Sequence, residues 1–209
     1  HGVRLEDIRG RKQSSEARLA SLHELQSAAL GKHDATLNQW LAQHSLTQAP
    51  RLAGMLTVEP GWEQAVERVL GADLAAVCVA RLDDLAGGLE GLKQAELTVI
   101  ETGATRAAAS SPGRATLCDK VRAQQADLSS LLADIFVAES LPDALAMRAQ
   151  LSPQESVVTR SGVWLGRNWI AVTDKDSARA GILGREREIE TLETDLRALQ
   201  AEARAGVRK

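Results

Sequence analysis

The sequence predicts a mixed α/β lobe set between two helices that pair with each other as an antiparallel coiled coil. Three observations predict it. Both ends carry apolar residues at heptad spacing, the stretch between them alternates short apolar runs with helical patterns, and aromatic residues are nearly missing. With no Tyr, one Phe (Phe136) and four Trp, the core must be built from Leu, Val, Ile and Ala. Ala and Leu also favour helix.

The first zone, residues 1–48, has no proline and is rich in Ala, Leu, Glu, Arg, Lys and Gln. Leu5, Ile8, Leu19, Leu22 and Ala29 fall on one a/d frame, which Lys12, Ser15 and Gln26 interrupt. Leu37, Trp40 and Leu41 continue at helical spacing, and Pro50 ends the zone. The last zone, residues 181–209, has a cleaner heptad. Ile182, Ile189, Leu196 and Ala203 occupy one seam position and Leu192 and Leu199 the other, while Arg185 stands where an apolar residue is expected. Its flanks alternate in sign, as suits a solvated helix or a coiled coil. Each helix alone would leave its seam wet. Two arrangements bury both seams: the helices zip together, or each packs on the central lobe.

The middle zone, residues 49–180, reads as short elements in turn. MLTV is extended, and Gly61–Leu70 is helical, with Gly71 placed to end the helix in a left-handed conformation. ADLAAVCVA is a buried strand, Leu82–Leu92 a helix weakened by Gly87 and Gly88, and LTVIE a strand. RATLC is expected to be a strand after the SSPG turn. Leu128–Leu132 is a short helix, DIFVAES a strand and Leu141–Ala149 a helix. SVVT, GVWLG and NWIAV are extended runs separated by turns. The order strand, helix, strand occurs twice, which hints at two similar lobes.

Composition excludes much of the chemistry. The net charge of -3 argues against a strongly basic nucleic-acid module, although local patches remain open. Cys78 and Cys118 form no C-x-x-C pair, and Cys78 lies in the run AAVCVA, so a buried reduced thiol is expected. The histidines His1, His23, His33 and His44 all fall in the first zone without metal-binding spacing. They are expected to be solvated, and no metal or cofactor is expected. Gly31-Lys32 lacks the glycine spacing of a phosphate loop. The middle zone has no His to serve as general base, so no catalytic residue and no enzyme activity are expected. No run approaches the ~20 apolar residues of a membrane span. The charged N-terminus is unlike a secretory signal, and a start at His1 suggests an excised fragment or tag remnant. A cytoplasmic location is the expectation.

Several segments in order resemble one known family. GMLTVEPGWEQAVERVLGADLAAVCV is similar to the opening of the hinge domain of structural maintenance of chromosomes (SMC) proteins, of the bacterial, condensin-related kind. GRATLCDKVR resembles that family's G-R-A-T-F turn, and LLADIFVAESLPDALAMR its later strand and helix. SVVTRSGVWL resembles its V-T-x-x-G hairpin, and RAGILGREREIETLE its re-entry into the coiled coil. The resemblance covers about residues 46–180. It implies a homodimeric hinge joining two arms, with ATPase heads and accessory condensin subunits elsewhere in the parent protein and a role in chromosome condensation and segregation. It also implies weak, non-specific DNA contact near the arm junction. The rival reading is an α/β regulatory or small-molecule-binding domain with its helical ends packed on the core.

One departure affects the expected interface. Many family members carry paired glycines in the last hairpins, whereas this chain reads SGVWLGRNWIAVTD. The candidate interface residues are therefore Gly162, Val163, Trp164, Gly166 and Trp169, the two tryptophans reading either as anchors or as hairpin core. The candidate phosphate-contacting residues are Lys120, Arg122, Arg160, Arg167, Lys175, Arg179 and Arg185. Acidic neighbours such as Asp174, Asp176, Glu186 and Glu188 make ordinary solvated faces the competing reading.

Overall fold

The computed structural model describes residues 2–85, 87–93, 95–103, 113–172 and 181–207, with side chains at 6–203 of these. The chain forms two units, residues 1–32 with 182–209, and residues 33–181.

The first unit is a helix pair. Helix α1 (Gly2–Ala29) packs against α6 (Ile182–Val207, numbered for its place in the chain). The pairing is antiparallel: Arg18 meets Glu188 at 2.9 Å, and Gln26 meets Ile182 and Glu186. The buried or half-buried positions include 8, 12, 15, 19, 22, 26 and 29 on α1, and 182, 185, 189, 192, 196, 199 and 203 on α6. Both series step by three and four, the spacing that keeps a seam facing its partner. Ile8, Leu19, Leu22, Ile182, Ile189, Leu192, Leu196 and Leu199 all lie in it. The side chain of Leu5 lies outside the described residues. Lys12, Ser15, Gln26 and Arg185, which look like interruptions in the sequence, keep their seam positions. Flexible stems and hydrogen bonds let polar residues occupy such sites.

The second unit begins sooner than the heptad reading expects. Gly31 turns the chain at a φ of +66°, and the Asp34 carboxylate then accepts from Leu37 N–H at 3.0 Å. That cap starts α2 (Ala35–Gln43). Leu37, Trp40 and Leu41 bury with Val77, Val79 and Leu85, so α2 belongs to the lobe's core and not to the arm.

Strands β1 (Leu56–Val58), β2 (Val77–Val79), β3 (Val99–Glu101) and β4 (Val121–Ala123) form two small sheets, β1 with β4 antiparallel and β2 with β3 parallel. Helix α3 (Glu63–Leu70) follows β1 and ends at Gly71, φ +49°. The helix expected over Leu82–Leu92 is instead two single 3₁₀ turns, Asp83–Leu85 and Leu89–Gly91. Gly87, Gly88 and Gly91 together cost about 3 kcal/mol of helix propensity. The strand expected over RATLC is also displaced. Thr116 and Asp119 form a capping box that opens a 3₁₀ turn at Leu117–Lys120, and the strand begins at Val121.

A second group follows: α4 (Ser129–Leu132), β5 (Ile135–Ala138), α5 (Leu141–Arg148), β6 (Ser156–Thr159), β7 (Trp164–Gly166) and β8 (Ile170–Ala171). β5 and β6 are parallel with α5 as crossover, and β7 and β8 continue the sheet antiparallel. Ser140 and Pro142 open α5, the serine as N-cap and the proline in the first turn, where a missing N–H costs nothing. Phe136, Ala138, Ala144, Leu151, Val157 and Leu165 bury together beneath this sheet. Each group holds one parallel strand pair, but only the second keeps the strand, helix, strand order read from the sequence, since 3₁₀ turns stand between β2 and β3.

Candidate functional site

The β6–β7 turn is fixed by its own hydrogen bonds. Gly162 N–H donates to Thr159 O at 2.9 Å, Thr159 N–H donates to Val163 O at 2.9 Å, and Val163 N–H donates to Thr159 Oγ1 at 3.1 Å. Gly162 sits at a φ of +80°, and a Cβ there would lie 3.3 Å from Gln64 O on α3. Replacing Gly162 with alanine is expected to cost about 1–3 kcal/mol, seen as a lower urea midpoint at unchanged slope. A Cβ at Gly166 would collide with the Trp169 indole. The room both glycines leave is therefore filled by the same chain.

The tryptophans divide in role. Trp164 is half-buried, its Nε1–H donates to Ser156 Oγ at 2.9 Å, and it meets Trp169 edge-on at 5.3 Å between centroids. Trp169 is 42% exposed, and beside it Ile170 is 54% and Val172 71% exposed. Sequence reasoning missed Ile170 and Val172, although the alternating run NWIAV carried the signal. These three residues line the outer edge of the sheet, because among the described residues no strand pairs with β8 on its far side. Gly166 N–H donates to Trp169 O, so the next rung, Leu165 with Ile170, is non-hydrogen-bonded within the hairpin. The Ile170 N–H and C=O thus face the open edge.

The basic candidates scatter. Lys120 Nζ contacts both Glu59 oxygens at 3.0 Å and lies 5.5 Å over the Trp62 ring. Arg160 donates to Glu139 at 3.2 Å and lies 5.1 Å over the same ring. Both cations therefore carry a carboxylate partner and a packing role. Arg122 on β4 and Arg167 in the β7–β8 turn are exposed. Arg185 belongs to the helix pair, where its Nε–H donates to Gln26 at 3.0 Å. Lys175 and Arg179 lie outside the described residues.

Other expected groups fall as follows. Cys78 and Cys118 are free and buried. Burial pushes the Cys78 thiol above its ordinary range, and neighbouring Arg51 pulls it the other way. His44 is not a solvated helix residue: it caps α2 and stacks on Trp40 at 4.0 Å. Among the described residues no helix is long and apolar enough to cross a membrane, and no group of three His, Cys, Asp or Glu is placed to hold a metal ion.

Residues 47–148 match the family of SMC proteins' flexible hinge domains. The chain carries an SMC hinge domain. Two curated proteins called Chromosome partition protein Smc are similar to it. The one from Methylococcus capsulatus is 36% identical over 207 residues, covering 96% of this chain and 18% of that protein. The one from Coxiella burnetii is 34% identical over 178 residues, covering 85% and 15%. The hinge chain thus spans less than a fifth of these relatives. Among solved structures, an asymmetric dimer of the Geobacillus stearothermophilus SMC hinge domain matches with a TM-score of 0.72 at 20% identity, covering 100% of this chain and 91% of that one. The Pyrococcus furiosus Smc hinge domain with an extended coiled coil matches with a TM-score of 0.52 at 18% identity, covering 98% and 82%. At these identities the structural likeness speaks for the hinge fold.

Proposed function

We propose that this hinge joins two copies of its parent protein through the outer edge of β8. The observation that carries the reading is a strand edge that is unpaired among the described residues and has three exposed apolar side chains on or beside it, Trp169, Ile170 and Val172. Such an edge is a template for another strand unless something covers it. A second copy adding there by backbone pairing, with the side chains as anchors, uses strand addition. Trp169 makes the contact, Trp164 and Gly166 position it, and Gly162 and Val163 shape the hairpin behind it. The solved Geobacillus stearothermophilus hinge being a dimer supports self-association. Sedimentation velocity over a wide concentration range tests it: a concentration-dependent dimer is expected, and a monomer throughout would overturn it.

The sequence boundaries, an arm stub at 1–48 and 181–209 around a hinge lobe at 49–180, shift in this reading to an arm at 1–32 and 182–209 and a lobe at 33–181, because α2 packs in the lobe. In the parent protein the hinge would hold two arms together in the cytoplasm at the nucleoid and support chromosome condensation and segregation. ATPase sites and accessory subunits would lie on segments beyond this chain. The names of the curated relatives support that setting.

DNA contact is the secondary element of this reading, and it rests on the exposed Arg122 and Arg167. Binding to duplex DNA would be weak, without sequence preference, and would fall steeply from about 50 mM to about 200 mM salt. Reversing both charges (Arg122→Glu with Arg167→Glu) is expected to weaken it by about tenfold or more, read by fluorescence anisotropy on a labelled duplex. An unchanged affinity removes the DNA element and leaves the assembly reading standing.

A further inference from the structure

The polar residues of the helix pair meet one another. Gln26 is only 4% exposed, yet three of its hydrogen-bonding positions are filled from α6. Its Nε2 donates to Ile182 O at 3.0 Å and to Glu186 Oε2 at 2.7 Å, and its Oε1 accepts from Arg185 Nε–H at 3.0 Å. The apolar layers cannot choose an alignment by themselves. Ile182, Ile189 and Leu196 repeat at seven residues, so sliding α6 by one heptad places leucine or isoleucine where isoleucine or leucine had been. The polar layer breaks this equivalence. One slip sets Gln26 against Leu192, where Glu193 replaces Glu186 but Gln26 Oε1 loses the Arg185 donor, and the opposite slip sets the Arg185 guanidinium against Leu19. Either leaves buried polar groups without partners. Lys12 and Ser15 do not discriminate in this way, since Lys12 pairs along its own helix with Glu16 at 3.5 Å and Ser15 is small.

We propose that Gln26, Arg185 and Glu186 form a register lock, a polar layer that selects one alignment of α1 on α6 out of several that the apolar seam would accept. A polar seam residue of this kind gives up stability for specificity. The lock thereby fixes how far each helix has advanced past the other.

The test uses the full chain with a cysteine at Ser15 and a second at one of two places on α6. From the Gln26–Arg185 pair, stepping eleven residues along each helix in opposite directions brings Ser15 opposite Leu196. Ser15→Cys with Leu196→Cys therefore reports the native alignment, and Ser15→Cys with Ile189→Cys reports a slip of one heptad. Under mild oxidation, with the parent chain as control for Cys78 and Cys118, the native pair is expected to cross-link and the displaced pair to lag about tenfold behind. Adding Gln26→Leu and Arg185→Leu together is expected to keep helix content and raise the thermal midpoint, while the displaced pair's yield rises about tenfold. An unchanged cross-linking pattern in that background would overturn the proposal. So would loss of helix content, because the layer would then hold the pair together instead of selecting its alignment.

Discussion

Replacing Trp62 with alanine is expected to destabilise the lobe by about 3–5 kcal/mol, a large part of the roughly 5–15 kcal/mol available to a domain. Trp62 is 1% exposed and sits where β1 passes into α3, its N–H donating to Glu59 O at 3.1 Å and its C=O accepting from Val66 N–H at 3.0 Å. Its ring receives two cations from distant parts of the chain. Lys120 comes from the entry to β4, held by Glu59, and Arg160 comes from the β6–β7 turn, held by Glu139. Each such contact adds about 0.5–1 kcal/mol beyond the packing. Alanine would remove the ring volume and both cation contacts together. Phenylalanine should cost no more than about half as much, because it keeps an aromatic face and sheds an indole N–H that is buried without an acceptor among the described residues. Urea unfolding followed by circular dichroism measures both variants. A loss below about 1 kcal/mol for alanine would show that the ring is not what ties these segments together.

The sequence carried the arm and the order of the lobe's elements for one physical reason. Both are periodic patterns of burial, and periodicity survives local exceptions. The seam was legible at Ile8, Leu19, Leu22, Ile189 and Leu196, and what escaped was that its polar members face each other. Gln26 and Arg185 look like faults until the antiparallel pairing is known. The misplaced elements have local causes. The glycines at 87, 88 and 91 disfavour a helix that the apolar spacing suggested, and the Thr116–Asp119 capping box, readable as T-x-x-D, opened a turn where a strand was expected. Trp62, Ala65, Val66 and Val69 recur at helical spacing in the sequence, which does not show Trp62 as the meeting point of Lys120 and Arg160. The pairings that bring those cations there are non-local and leave no spacing signal. The same limit hid the two carboxylates that take Lys120 and Arg160 out of a simple phosphate-binding face.

Charging the β8 edge with Ile170→Glu and Val172→Glu is expected to weaken self-association at least about 100-fold, equivalent to about 2.8 kcal/mol. The fold should change by no more than about 0.5 kcal/mol, because both side chains already face solvent. Trp169→Ala would be less clean: it also empties the space over Gly166 and withdraws the edge-on support of Trp164. The sharper test is Ile170→Pro. Within its own hairpin Ile170 occupies a non-hydrogen-bonded rung, so proline there removes no bond of the chain itself. It does remove the N–H that an added strand would need. If the second copy joins by backbone pairing, sedimentation should show Ile170→Pro dissociating nearly as fully as the charged variant. If only the charged variant dissociates, the contact is made by side chains across the edge. If neither does, assembly uses another surface, and the reading of β8 as the joining strand falls with it.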